Sequence, residues 1–164
     1  MKRIVFCFMA MMISMAMMAQ GRCLMSITDN DEYSNVRKGM TTKSVIVKKV
    51  IKGTEVYVTP TGTNWYRVSL SPNGAFVGYI HNSCVGMGDN FATLYKVTDK
   101  DGYTNVRQQA TTKSAIVKKM RTGEEFEGVA VYVNGEFSNW VGVLDENQHL
   151  IGFVYNTNVL AIAQ

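Results

Sequence analysis

Asp31-Glu32-Tyr33-Ser34-Asn35-Val36-Arg37 and Asp101-Gly102-Tyr103-Thr104-Asn105-Val106-Arg107 are one phrase written twice, 70 residues apart. The repetition continues at the same offset. Thr41-Thr42-Lys43-Ser44 returns as Thr111-Thr112-Lys113-Ser114, Ile46-Val47-Lys48-Lys49 as Ile116-Val117-Lys118-Lys119, and Gly53 as Gly123. The offset then grows to 75 between Asn64-Trp65 and Asn139-Trp140, and settles at 74 between Gly78-Tyr79-Ile80 and Gly152-Phe153-Val154. A phrase repeated at this period is one folding unit used twice, so it decides the domain organisation. The second copy gains five residues between Gly123 and Trp140. They surround Asn134-Gly135, the strongest two-residue hairpin signal, so the second copy carries one lengthened hairpin.

Within each copy the apolar residues come in short runs. Leu24 to Ile27 opens the first unit and corresponds to Leu94 to Val97 in the second. Glu55 to Val58 is another run, and Trp65 to Leu70 alternates, with Tyr66, Val68 and Leu70 on one face and Trp65 on the other. Ser71-Pro72-Asn73-Gly74 is a turn, Ala75 to Ile80 a further strand, and a last short strand ends near Val85. No stretch sustains a 3.6-residue apolar period. The expected fold is all-β: two tandem, small, five-stranded barrels, closed because closure removes exposed strand edges. The expected boundaries are 23–85 for the first barrel, 86–91 for a linker built on Gly86 and Gly88, and 92–162 for the second.

Residues 1–21 are expected to be a secretory signal peptide. Lys2 and Arg3 precede an apolar run from Ile4 to Ala19, and small residues close it at Ala16, Ala19 and Gly21. The run is shorter than a membrane span requires, and Arg22 before Cys23 is wrong for a lipid anchor. Without Lys2 and Arg3, 15 basic residues face 13 acidic ones, a net charge of +2. From Asp29 to Val85 the balance is 7 to 4, net +3; from Asp99 to Leu160 it is 6 to 8, net −2. Opposite halves suggest that the two units dock together or meet different ligands. Neither half is a nucleic-acid patch, and no nucleic-acid partner is expected.

The ordered set Tyr33-x-Asn35-Val36-Arg37, Thr41 to Ser44, Lys52-Gly53, Asn64-Trp65-Tyr66-x-Val68 and Gly78 to Ser83 resembles the bacterial SH3-type domain family. The second copy repeats it at Tyr103 to Arg107, Thr111 to Ser114, Thr122-Gly123, Asn139-Trp140 and Gly152 to Thr157. Met40 and Ala110 stand where the family often has proline. The resemblance implies an SH3-like barrel and a non-catalytic role in targeting, most often to peptidoglycan or its peptides. The leader and two barrels leave no residues for a hydrolase domain. The expectation is a periplasmic or secreted binding module, or alternatively an adaptor for an envelope protein, with no membrane span after the leader is removed.

Tyr33, Trp65 and Tyr79, with Tyr103, Trp140 and Phe153 in the second copy, are the candidate ligand contacts, because aromatic side chains at a barrel surface stack on a sugar or grip a peptide. Asn35 and Arg37 are expected to satisfy backbone groups of the long loop after Tyr33. No catalytic residue is expected: His81 and Cys84 fall in the barrel's last hairpin, and the second copy has Tyr155 and Asn158 there. Two scattered histidines and the cysteines show no ligand spacing, so neither a metal nor another cofactor is expected. Cys23 and Cys84 form an even pair in an exported chain. In an SH3-type barrel the first and last strands are antiparallel neighbours, so the resemblance implies a Cys23–Cys84 disulfide, the alternative being two separate thiols.

Overall fold

The computed structural model describes residues 20–88 and 92–162. Apart from Gln20 and Gly21, the leader expected at 1–21 lies outside the described residues, and so do residues 89–91 of the expected linker. The first module runs through β1 (Arg22–Ile27), β2 (Tyr33–Arg37), β3 (Ile46–Ile51), β4 (Glu55–Pro60), β5 (Trp65–Ser69), β6 (Gly78–His81) and β7 (Val85–Gly86). The second runs through β8 (Thr93–Val97), β9 (Tyr103–Arg107), β10 (Ile116–Arg121), β11 (Glu125–Val133), β12 (Glu136–Leu144), β13 (Leu150–Tyr155) and β14 (Val159–Ala161). A single 3-10 turn precedes the last strand of each, at Asn82–Cys84 and Asn156–Asn158.

Alternation builds the first core. Met25 and Ile27 of β1, Val36 of β2, Val56 and Val58 of β4, Tyr66 and Val68 of β5 and Ile80 of β6 all point inward and are buried. Val97, Val106, Met120, Val141, Val143 and Val154 do the same in the second module. The all-β architecture agrees with the sequence, but the strand count differs. Five strands per module were expected, and the described residues form seven in each. The added pair is β2–β3 and its counterpart β9–β10, where a long loop was expected; Tyr33 faces Ile51 and Arg37 faces Ile46. Strand β3 escapes the alternation rule because it is an outer edge of the sheet, with only Val50 of its six residues buried. Leu70, expected on the inner face, is exposed because β5 ends at Ser69.

The two modules share one sheet. Strand β4 runs along one edge of β1, pairing Cys23 with Val58 through Ser26 with Glu55. The other edge of β1 is divided: Ser26 and Ile27 pair with β7, closing the first module, while Arg22 and Cys23 pair with Tyr132 and Val131 of β11. The lengthened hairpin makes this second pairing possible. Strands β11 and β12 are nine residues each, and Asn134 and Gly135 turn between them at φ 53° and 87°. Two consecutive positive φ values are what a tight hairpin turn requires and what Asn-Gly tolerates.

Apolar burial continues through the contact. Val129, Val131, Leu144, Leu150 and Phe153 of the second module join the core cluster of the first. Gly142 has no room for a side chain, since a Cβ there would lie 2.6 Å from Cys23 Sγ. Tyr132 meets Tyr57 edge-on at 5.4 Å. Hydrogen bonds also cross the contact: the Leu150 N–H donates to Tyr66 Oη at 2.7 Å and Gln108 Nε2 to the Thr61 carbonyl at 2.7 Å. The opposite net charges of the halves are not what joins them. The ion pairs Lys96–Glu125 and Lys118–Glu124 both lie within the second module.

The expected Cys23–Cys84 disulfide is not formed, and both thiols are free. Val85 pairs with Ile27, and the Thr28 N–H donates to the Cys84 carbonyl. Cys84 therefore begins the last strand instead of ending it, and antiparallel pairing sets it against the far end of β1. The two cysteines are five residue steps apart along β1, roughly 16 Å at about 3.3 Å per step, well beyond bridging range.

Tyr66→Phe removes the acceptor of a buried N–H without changing shape. It should lower stability by about 1–3 kcal/mol, read as a reduced urea midpoint with unchanged slope. Because the core is shared, both modules should lose structure in one transition, followed by tryptophan fluorescence from Trp65 and Trp140.

Candidate functional site

Alternation along β2 buries Ser34 and Val36 and turns Tyr33, Asn35 and Arg37 outward; β9 does the same with Tyr103, Asn105 and Arg107. A second wall comes from the neighbouring hairpin. Trp65 pairs with His81 across β5 and β6, and their rings meet edge-on at 5.3 Å. Trp140 pairs with Tyr155 across β12 and β13, again edge-on at 5.3 Å. Each module thus presents an outward strand beside a tryptophan-based aromatic pair.

On the second module these walls enclose a cavity of about 270 Å³, lined by Tyr103, Thr104, Asn105, Arg107, Trp140, Tyr155 and Asn158, with Asp99, Asp101 and Thr112. Several lining groups are held in place by their neighbours. Arg107 Nη1 donates to the Ser114 carbonyl at 2.8 Å, and Asn158 Nδ2 to Thr104 Oγ1 at 2.9 Å. The Lys119 ammonium sits 4.4 Å from the Tyr103 ring centroid, as Lys49 sits 4.1 Å from that of Tyr33. Among the described residues, Asn105 Oδ1 is buried without a hydrogen-bond partner, and so is Asn35 Oδ1 in the first module. The Arg37 guanidinium has the backbone role expected of it, donating to the Ser44 carbonyl at 2.8 Å.

The equivalent positions of the first module differ in chemistry. His81 replaces Tyr155, and Cys84 replaces Asn158. Ser34 Oγ donates to Asp29 Oδ2 at 2.7 Å. This hydrogen bond, followed by one from Cys84, holds the Asp29 carboxyl below the usual aspartate range. Burial, reinforced by the Asp29 carboxylate, pushes the Cys84 thiol up. A nucleophilic cysteine needs the opposite shift. His81 turns Nδ1 to Ser83 Oγ at 2.8 Å.

Of the six aromatic candidates, Tyr103 and Trp140 line this cavity, and Tyr33 and Trp65 hold the equivalent positions of the first module. Tyr79 lies level with Arg37 and Arg67, packed on Phe76 at 5.0 Å, with the Arg67 guanidinium 4.4 Å above the Phe76 ring. Phe153 is a correction: it is fully buried. It points outward from its own barrel, but the start of β1 covers it, leaving no room for a Cβ on Gly21 between Ala110, Val131 and Phe153. The sequence reading missed His81 and Tyr155 as groove aromatics. The signal was there, since alternation from Gly78 and Gly152 sets them two residues beyond Tyr79 and Phe153 on the same face.

Residues 32–86 match the family model of the bacterial SH3 domain. The first module is a bacterial SH3 domain. The match does not extend over the second module, whose relation to the first rests on the internal repeat. No curated protein matches the chain. Among solved structures, it is similar to NlpC2 from Trichomonas vaginalis at 7% identity and a TM-score of 0.37, covering 86% of this chain and 48% of that one. NlpC1 from the same organism is similar at 8% identity and a TM-score of 0.39, covering 87% and 47%. The chain thus spans about half the length of each, and likeness at that level says nothing of activity.

Two outcomes follow for the SH3 module. Under native conditions an alkylating reagent should label half-buried Cys84 slowly and leave fully buried Cys23 untouched; in denaturant without reductant both should react, read by peptide mass mapping. Ser34→Ala should raise the Asp29 pKa toward the ordinary value of about 3.9, read by NMR titration of the carboxyl. A depressed folded pKa adds stability above the unfolded pKa and loses it as pH falls through the folded one. The pH-dependent part of the stability gap between wild type and Ser34→Ala should therefore be full at neutral pH and close in acid.

Proposed function

We propose that this chain is an exported, non-catalytic binding module, acting in the periplasm or outside the cell, that recognises peptidoglycan or its peptides through its aromatic grooves. The observation that carries this reading is the pairing of an aromatic wall with an outward polar strand, found on both modules as Trp65–His81 and Trp140–Tyr155. Aromatic faces bury the apolar side of a sugar or peptide while neighbouring amides and charges fix its orientation. The match of residues 32–86 to a domain family generally found in wall and peptide binding supports it. Export rests on the leader-like pattern of residues 1–21. Among the described residues, no helix is long and apolar enough to cross a membrane, and no cluster of three or more His, Cys, Asp or Glu side chains is arranged to hold a metal ion.

A second reading, an adaptor for an envelope protein, draws on β3. This edge strand has one open side and exposes Ile51, as does Val45 just before it, at 71% and 69%. An extended partner segment adds to such an edge through backbone hydrogen bonds.

Sedimentation with purified sacculi separates the two. The wild-type chain should be retained, and Trp140→Ala or Tyr155→Ala should weaken retention roughly tenfold, the equivalent of about 1.4 kcal/mol of aromatic contact. A folded wild-type chain that stays in the supernatant would sink the wall-binding reading. Co-purification of one specific envelope protein would then favour the adaptor.

A further inference from the structure

Resting on the groove reading above, we infer that the second module's cavity takes a short peptide in one direction, its ammonium end at Asp99 and Asp101 and its carboxylate end at Arg107. All three charged residues line the same cavity. They lie at opposite ends of it, because Asp99 and Asp101 precede Tyr103 while Arg107 closes β9. From Tyr103 to Arg107 is four residue steps of strand, roughly 13 Å, which is also the length of about four extended peptide residues.

The charges at each end are available. Among the described residues, the Asp101 carboxylate has no hydrogen-bond or ion-pair partner. Asp99 uses Oδ1 to accept from the Asp101 N–H at 3.0 Å, leaving Oδ2. The Lys119 ammonium, one strand over, sits against the face of the Tyr103 ring. Arg107 commits Nη1 to the Ser114 carbonyl, which holds the guanidinium in place while its other N–H groups keep their donor capacity. A planar guanidinium suits a carboxylate, and a carboxylate pair beside aromatic rings suits an ammonium group.

The middle of the groove suits a peptide backbone. Phe153 pairs with Arg107, so Tyr155, two residues along the antiparallel strand, comes level with Asn105. The Asn105 amide therefore faces the Trp140–Tyr155 wall halfway between the charged ends, and its buried Oδ1 has no hydrogen-bond partner among the described residues. An uncharged sugar would leave both charged ends unused; a peptide with free termini uses both and fixes its own direction.

The test is an NMR titration of the whole ¹⁵N-labelled chain with tetra-alanine, N-acetyl-tetra-alanine and tetra-alanine amide. Free tetra-alanine should shift the Tyr103 and Asn105 amides and the Trp140 indole. Either cap should weaken binding roughly tenfold, the loss of one charge-assisted contact. Asp101→Asn, near-isosteric and on an exposed turn, should reduce sensitivity to acetylation and keep sensitivity to amidation. Capped and free peptides binding equally, or no peptide shifting these signals at millimolar concentration, would overturn the assignment. Sacculus retention is measured separately, so a wall-binding module without this peptide polarity is distinguishable from one that does not bind the wall.

Discussion

Cys23 sits where three strands meet: it pairs with Val58 on one edge of β1 and with Val131 on the other. Four residues later, the same edge that holds β11 holds β7 instead, at Ile27 and Val85. Six residues thus close the first barrel and join it to the second. A strand paired on both sides has no open edge to template association, and its main-chain donors and acceptors are used inside the molecule. The register there is also fixed by packing, since Gly142 abuts Cys23 and Tyr132 abuts Tyr57. The Arg22 guanidinium adds a polar clamp, with Nη1 donating to the Ser71, Pro72 and Gly74 carbonyls of the neighbouring turn.

Barrels of this size bury too little apolar surface to be more than marginally stable alone. The lengthened hairpin addresses that directly. Its added residues carry β11 and β12 past their own barrel onto β1, and the tip reaches the turn at Asn73. Leu144, Leu150 and Phe153 then share the first module's apolar cluster. The insertion that marks the second copy in the sequence is the part that makes two small domains one folded body.

Much of this was legible from residue order. The repeat set the module count, alternation set which side of each strand is buried, and Asn134-Gly135 located the hairpin. The features that were not legible depend on pairing between distant strands. Nothing in Leu150 to Tyr155 says that the start of another barrel lies on top of Phe153, because its own barrel leaves that face outward. Nothing in Ile46 to Ile51 alternates, because an edge strand exposed on both faces imposes no period. The thiols failed for a related reason: pairing them required knowing at which end of the last strand Cys84 stands, and one 3-10 turn at Asn82–Cys84 decides that.

Docking also makes the two grooves unequal, beyond the exchange of His81 for Tyr155. The second groove is walled by its own module alone, from Asp99 to Asn158. The first is not so contained. His81, which forms one wall with Trp65, also lines a cleft of about 600 Å³ whose opposite side carries Asn147 and His149 of the second module. That cleft lies between the two modules, so the surface around His81 is shared between them while the surface around Tyr155 is not. Identical repeats joined through a non-symmetric contact cannot keep identical surroundings. Here the second copy lends residues to the first, and loses the outer face of Phe153 in doing so.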